Sequence, residues 1–331
     1  MNFQETIGID VSKPFIDAFI YQSKKHKRFK NSKNGFHEML NWIDKYSQTK
    51  SSQRLLAFEH TGLYSLPLSI YLSDMKENYI LIPGLELKKS LGISRGKDDK
   101  VDAKAIALYA YRRRDEIKPY KLPSKHLLEL RRLLSLREKL VKQRSGFKAT
   151  NTEIRAFLTK KEHGTYFKVH EEMIKSLSKQ IRQVDKHLIQ IINMDEQLKQ
   201  MHELITGIQG VGTQTALFMI AYTNGFTLFS NYRKFASYAG IAPFPNRSGI
   251  SIRGKTKVSN LANKKFKSLL SNCAVNAIIN NPEMKVYYQR RVKEGKNKMS
   301  TINIVRNKLL ARIFAVIERG TPYVNTLKYT A

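Results

Sequence analysis

The 331-residue chain carries 59 Lys and Arg against 27 Asp and Glu, a formal net charge of +32, with 41% hydrophobic residues. That apolar share suffices for packed cores and excludes a disordered basic tail, and the length points to two or three domains. The lone Cys273 excludes a disulfide framework and a cysteine-rich zinc site, and so large a positive excess calls for a polyanion, nucleic acid above all.

Residues 1–122 alternate between strand and helix signals. Thr6–Val11 reads as a buried strand ending beside a carboxylate, Phe15–Tyr21 as a second strand and Lys27–Phe29 as a weaker third. Met1–Gln4 leads straight into this pattern, and no run approaches 18 apolar residues, so neither a secretory leader nor a membrane span is expected, and the lone cysteine suits a reducing cytosol. Helical spacing follows over Gly35–Tyr46, with Trp42 on the apolar side. Arg54–Glu59 is another strand, Gly62 opens a helix through Leu66, Ile70 and Leu72, and Tyr79–Ile82 is a short strand stopped by Pro83-Gly84. Lys100–Arg114 closes the stretch as a helix with Val101, Ala105, Ile106, Leu108 and Ala110 inside. The order implies an α/β domain with a mixed sheet.

From Pro123 the pattern changes to long helices. Leu127, Leu130, Leu134 and Val141 mark one, and a turn near Gly164 precedes another. Ile174, Leu177, Ile181, Val184, Leu188, Ile191, Met194 and Leu198 form a heptad seam with one slip near its end. The seam fits an antiparallel helical hairpin or a dimerising coiled coil, and periodicity alone leaves both open. Residues 202–331 read as short helices broken by glycine. Between Arg247 and Lys298 there are 13 Lys or Arg and two acids, Glu283 and Glu294, the most basic part of the chain.

Asp10 and Glu59 stand at the ends of two strands, and Asp99 and Asp102 are three apart at the start of a helix, on one face. Carboxylates presented this way suit Mg²⁺, a hard cation that takes oxygen ligands, and two such ions about 4 Å apart stabilise both the attacking and the leaving oxygen at a phosphate. In the bland alternative these acids cap turns, pair with lysines and cap a helix.

Ile7-Gly8-Ile9-Asp10-Val11-Ser12-Lys13, Phe58-Glu59-His60-Thr61-Gly62 and Lys97-Asp98-Asp99-Lys100-Val101-Asp102-Ala103 resemble, in order, the motifs of the DEDD transposases of bacterial insertion sequences, a family that includes recombinases guided by a bridge RNA. The resemblance implies a RuvC-like, ribonuclease-H-type domain over 1–122, a long-helix coiled-coil region over 123–201 and a mostly α C-terminal transposase domain over 202–331. It places the acidic tetrad on Asp10, Glu59, Asp99 and Asp102. Asp98 stands where the family more often has Thr, and Pro83-Gly84 replaces a frequent Asn-Pro.

Ile205–Ala216 resembles the family's helix-hairpin-helix-like segment, in which Gly210, Gly212 and Thr213 would let backbone N–H groups approach a phosphate at a helix N-terminus. Phe235–Pro243 is similar as well. Asn246-Arg247-Ser248-Gly249 matches the position of the family's essential serine, so Ser248 is implied as the nucleophile. Arg247, Arg253, Lys255 and Lys257 lie close in sequence to neutralise its target phosphate, and Lys264 and Lys265 extend the basic surface. His60, Arg112–Arg114 and Tyr287-Tyr288 are weaker nucleic-acid signals.

The function implied is insertion-sequence transposition: DNA cut and rejoined through a phosphoserine intermediate, with Mg²⁺ (two ions per composite site) held by the tetrad. The acids would come from one subunit and the serine from another, in a homo-oligomer (dimer or tetramer), with donor and target DNA and a structured guide RNA as partners. The seam from Ile174 to Leu198 is a separate reason to expect oligomers. A RuvC-like junction nuclease using metal-activated water, and a non-catalytic nucleic-acid-binding protein, are the rivals.

Overall fold

In Glu5–Val11 (β1) Ile7, Ile9 and Val11 are buried on one face of a sheet, and Thr6 and Gly8 on the other. This is the period of two that a strand covered on both sides requires. The computed structural model describes residues 3–91, 99–248 and 252–324. The chain divides into two units, Met1–Leu122 and Pro123–Ala331.

The first unit continues with Phe15–Ile20 (β2), Lys25–Lys30 (β3), Lys33–Tyr46 (α1), Arg54–Glu59 (β4), Leu66–Asp74 (α2), Tyr79–Ile82 (β5), Gly84–Leu91 (α3) and Asp99–Arg113 (α4). The sheet runs β3-β2-β1-β4-β5, so β3 and β5 are its edges. β1, β2 and β3 pair antiparallel, whereas β1, β4 and β5 pair parallel. Ser32 caps α1 by accepting from the Gly35 N–H, and Phe36, Met39, Leu40 and Ile43 pack from that helix onto Ile7, Ile9, Ile16 and Phe58. Trp42 is half-buried there, edge-on to Phe29.

The opposite face of the sheet is covered by α4. Its buried side is Ala103, Ile106, Ala107, Tyr109 and Ala110, while Val101, expected inside, is half exposed. The approach is close because Gly8 has no side chain: a Cβ there would lie 2.1 Å from the Ala103 carbonyl and 2.3 Å from the Ala107 nitrogen. The Thr6 hydroxyl donates to the Ala107 carbonyl at 3.2 Å beside it.

Two sequence expectations change here. The helix after Gly62 starts four residues later, at Leu66, because Gly62 is in the left-handed region (φ +68°) that belongs to a turn. Pro83-Gly84 does not simply end β5: the Pro83 carbonyl accepts from the Glu86 and Leu87 N–H groups and so begins α3.

The second unit holds Lys125–Ile154 (α5), Gly164–Asn193 (α6), Glu196–Thr206 (α7), Thr213–Tyr222 (α8), Tyr232–Tyr238 (α9), Pro243–Ser248 (β6), Ile252–Val258 (β7), Lys264–Asn280 (α10), Pro282–Lys293 (α11) and Lys298–Arg319 (α12). α5 and α6 pair within the chain, the hairpin alternative of the two that periodicity left open, with Leu177, Ile181, Leu188 and Ile191 buried. The slip in the seam is a helix break. Met194 ends α6 with 68% exposure, and the Asp195 side chain accepts from the Gln197 and Leu198 N–H groups to start α7. Leu127, Leu130, Leu134 and Leu188 join Phe218, Phe235, Phe266 and Leu309 in one core. The boundary drawn at 201/202 therefore falls inside α7, a helix of that same core. β6 and β7 add an antiparallel ribbon, a pair of strands that the reading of this stretch as short helices in a mostly α domain did not place.

Candidate functional site

Strand register brings the first acids together. Asp10 lies opposite Asp17 across β1 and β2, and Ile9 lies opposite Phe58 across β1 and β4, so Asp10 and Glu59 are the next residues on adjacent strands. All three are on the Gly8 face, the face α4 covers. Glu59 lies opposite Ile82, and a Cβ on nearby Gly84 would stand 2.1 Å from its Oε1. Glycine at the mouth of α3 leaves the room in which the Glu59 carboxylate sits.

Asp99 and Asp102 are in the first turn of α4, one turn apart. Their charges reach Asp10. Burial, then repulsion by Asp102, Asp99 and Asp17, pushes the half-buried Asp10 carboxyl up to about 6, with the Val11 backbone N–H pulling the other way. Like charges this close favour either a proton or a cation between them.

One cation is already present. Arg28 on β3 donates from Nε to Asp17 at 2.9 Å and from Nη2 to Asp99 at 2.5 Å, and these acids raise its pKa above the ordinary arginine value. His26 Nε2 lies 2.8 Å from the other Asp17 oxygen, and Asp17 itself is almost fully buried. Asp17 and Arg28 were missed in the sequence. The signal was an acid inside the apolar run Phe15-Ile16-Asp17-Ala18-Phe19-Ile20, a position that demands a partner.

Among the described residues no three His, Cys, Asp or Glu side chains form a group that could hold a metal ion. The donor set still fits a hard divalent cation: every group is a carboxylate, and their mutual repulsion is left uncompensated at Asp10. Asp98 lies outside the described residues.

In the second unit, Ser248 is the last residue of β6, with its Cα opposite Ile252. Arg247 lies opposite Arg253 and Phe244 opposite Lys257, while Lys255 lies between them on β7. Backbone pairing thus places Arg247, Arg253, Lys255 and Lys257 on the same short ribbon as the serine, although they are up to ten residues apart in sequence. Lys257 is exposed, as is Lys264, the first residue of α10. Lys265 differs: its Nζ pairs with Glu138 at 2.6 Å and lies over the Phe218 ring.

Gly210 has φ +100°, and a Cβ there would sit 2.7 Å from that of Ala277, so it is the tight seat of a turn on α10. Gly212 is the N-cap of α8, and with Thr213 it is exposed at the helix N-terminus. The weaker signals have local partners. His60 donates its backbone N–H to Ile82, Arg113 pairs with Glu86, Arg114 donates to the Tyr111 carbonyl, and Tyr287 packs against the core under Lys308. Arg112 and Tyr288 add nothing to either site among the described residues.

Comparison with known proteins accounts for both units. Residues 7–161 match the DEDD transposase model of the IS110 family, and residues 202–289 match that of the transposase IS116/IS110/IS902 family. The chain is 28% identical over 327 residues to the pilin gene-inverting proteins of Moraxella bovis and Moraxella lacunata, covering 96% of this chain and 97% of each relative. It is also 28% identical over 120 residues, 36% of this chain, to an uncharacterized 43.6 kDa protein of the insertion element IS110 from Streptomyces coelicolor, covering 29% of that protein. The two matches occur in family order and together span more than two thirds of the sequence: the chain belongs to the IS110 family of transposases.

Proposed function

We propose that this protein cuts and rejoins DNA through a phosphoserine intermediate on Ser248, with the acids of the first unit holding Mg²⁺ at the reacting phosphate. Family membership makes it a DNA-processing transposase or recombinase. The observation that carries the finer reading is the shared face: Asp10, one residue before the end of β1, and Glu59, the last of β4, lie side by side on adjacent strands, and Asp99 and Asp102 sit on the helix covering that face. The order β3-β2-β1-β4-β5, antiparallel then parallel, supports a ribonuclease-H-like, RuvC-like domain.

Asp10, Glu59, Asp99 and Asp102 would hold the metal, two ions in our reading. Bound Mg²⁺ would supply charge neutralisation at the phosphate oxygens. The protein's own groups do the rest. Arg247, Arg253, Lys255 and Lys257 neutralise and orient the DNA phosphate beside Ser248, whose hydroxyl attacks phosphorus and releases the 3′ or 5′ oxygen of the broken strand. Gly212 and Thr213 offer N–H groups at the start of α8 to a backbone phosphate. Reversal of the attack reseals DNA without free double-strand ends. Relatives named for inverting a pilin gene fit that outcome.

A structured RNA that pairs with donor and target DNA would select the sites, with the protein reading its shape and backbone charge. The acids and the serine would come from different subunits of a homo-oligomer, acting in the bacterial cytoplasm at the nucleoid. Among the described residues no helix is long and apolar enough to cross a membrane.

The test is a covalent adduct. Wild-type protein with cognate DNA and Mg²⁺ should give a protein–DNA species on a denaturing gel, and Ser248→Ala should lose it together with recombination while DNA binding persists. Strand cleavage by Ser248→Ala at the wild-type rate would instead identify a nuclease that uses water.

A further inference from the structure

Two arginines are buried among the described residues, Arg54 at 4% exposure and Arg306 at 6%. Their surroundings differ. Arg54 is held by Asp44 at 2.5 Å and Glu77 at 3.2 Å. Arg306, in the middle of α12, has no carboxylate within ion-pair distance among the described residues. Nη1 donates to the Asn303 side chain at 3.3 Å, and Nε is buried with no acceptor. Burial alone pulls its pKa below the ordinary arginine value, and no acid offsets it. A guanidinium stays charged in proteins, so an unpaired one under the surface is strongly unfavourable in the free molecule. Leucine or methionine would fill the same place on α12 at no such cost.

Its neighbours point to what it waits for. Asn303 and Asn307, on the same turns of α12, donate their side-chain N–H groups to the Ile241 carbonyl at 2.9 and 3.1 Å. Ile241 lies two residues before β6, the strand that leads to Arg247 and Ser248. Arg306 therefore stands at the root of the basic ribbon.

We propose that Arg306 is a phosphate-binding residue that takes a backbone phosphate of DNA at the root of the β6–β7 ribbon. The seven residue steps from Ile241 to Ser248 span up to ~23 Å when extended, so this phosphate flanks the one attacked. The proposal rests on DNA being the substrate and is independent of the serine chemistry. A planar fork with a free Nε–H and a neighbouring asparagine suits a tetrahedral oxyanion better than a lysine would.

The two roles that Arg306 could have move stability in opposite directions. Arg306→Met keeps the apolar stem and removes the unpaired charge. A phosphate-binding residue predicts that the free full-length variant unfolds about 2–4 °C higher than wild type. Its affinity for a mixed-sequence DNA duplex, followed by fluorescence anisotropy across a salt series, should fall about tenfold. The slope of log affinity against log salt should decrease by about one. Arg306→Lys should keep the slope. Unfolding at lower temperature, or failure to fold, would show that the arginine holds the core together and would overturn the proposal. An unchanged slope would do the same, and so would a loss confined to an RNA hairpin probe. Wild-type protein that bound no duplex at all would remove the DNA reading itself, a result distinct from any of these.

Discussion

Gly8 and Gly84 both stand where a methyl group would collide, yet what it would strike differs. At Gly8 the neighbour is the backbone of α4, which cannot yield without moving the helix that carries Asp99 and Asp102. At Gly84 the neighbour is the far end of the Glu59 side chain, which turns aside. Gly8→Ala should therefore cost about 1–3 kcal/mol of stability as well as activity. Gly84→Ala should leave thermal unfolding within about 0.5 kcal/mol of wild type and still lower strand cleavage about 100-fold, because Glu59 is misplaced. Equal destabilisation by the two, measured by thermal melts, would contradict this assignment. The same scale shows what a sequence conceals. Asp10 and Glu59 were legible because each is a carboxylate at or next to the end of an apolar strand. Arg28 was not, because its partners Asp17 and Asp99 lie 11 and 71 positions away and only the sheet and α4 bring them to it.

Element boundaries were clearest where one force dominated. Arg54–Glu59 and Tyr79–Ile82 are strands with the ends their apolar runs implied. The β6–β7 ribbon was hidden because Pro243, Asn246, Arg247 and a string of basic residues carry no apolar alternation, and backbone pairing alone defines it. α7 offers a pH test. His202 is half-buried with Nε2 unpartnered, and burial lowers its pKa, with the charge of Glu203 opposing only in part. The unfolded chain then binds a proton more readily than the folded one, so stability is intact above pH ~6.5 and declines as pH falls from there towards the lower folded value. Thermal melts between pH 7.5 and 5 should show this decline. His202→Gln should flatten it, and a profile unchanged by the substitution would assign the acid sensitivity elsewhere.

Across the whole molecule the charge of +32 sets how binding responds to salt. Each phosphate that a substitution leaves without its cation lowers the slope of log affinity against log salt by about 0.9 on duplex DNA. Lys257 and Lys264 are exposed and can take part, whereas Lys265 is paired with Glu138 across to α5. Lys257→Glu with Lys264→Glu should flatten the slope by about two units at unchanged stability. Lys265→Glu should instead lower the unfolding temperature by placing two acids together. An unchanged slope in the double variant would move the main DNA surface away from this ribbon. The two-unit division was only partly legible: the break before Pro123 follows from the change in period, but the shared core of the long helices and the C-terminal helices is a tertiary fact that no local pattern announces.

A protein gathered in several copies on one polymer experiences a local concentration far above that of the surrounding solution, and sheet edges are where such crowds go wrong. The outer strand β3 has the sequence Lys25-His26-Lys27-Arg28-Phe29-Lys30. Three lysines stand exposed along it, and only Phe29 is buried. Flat, apolar edges invite a neighbour's strand, and lysine is the usual deterrent. β5, on the other side, is only four residues long. Both borders of the sheet, one lined with lysines and the other short, are thus poor templates for a strand of another copy.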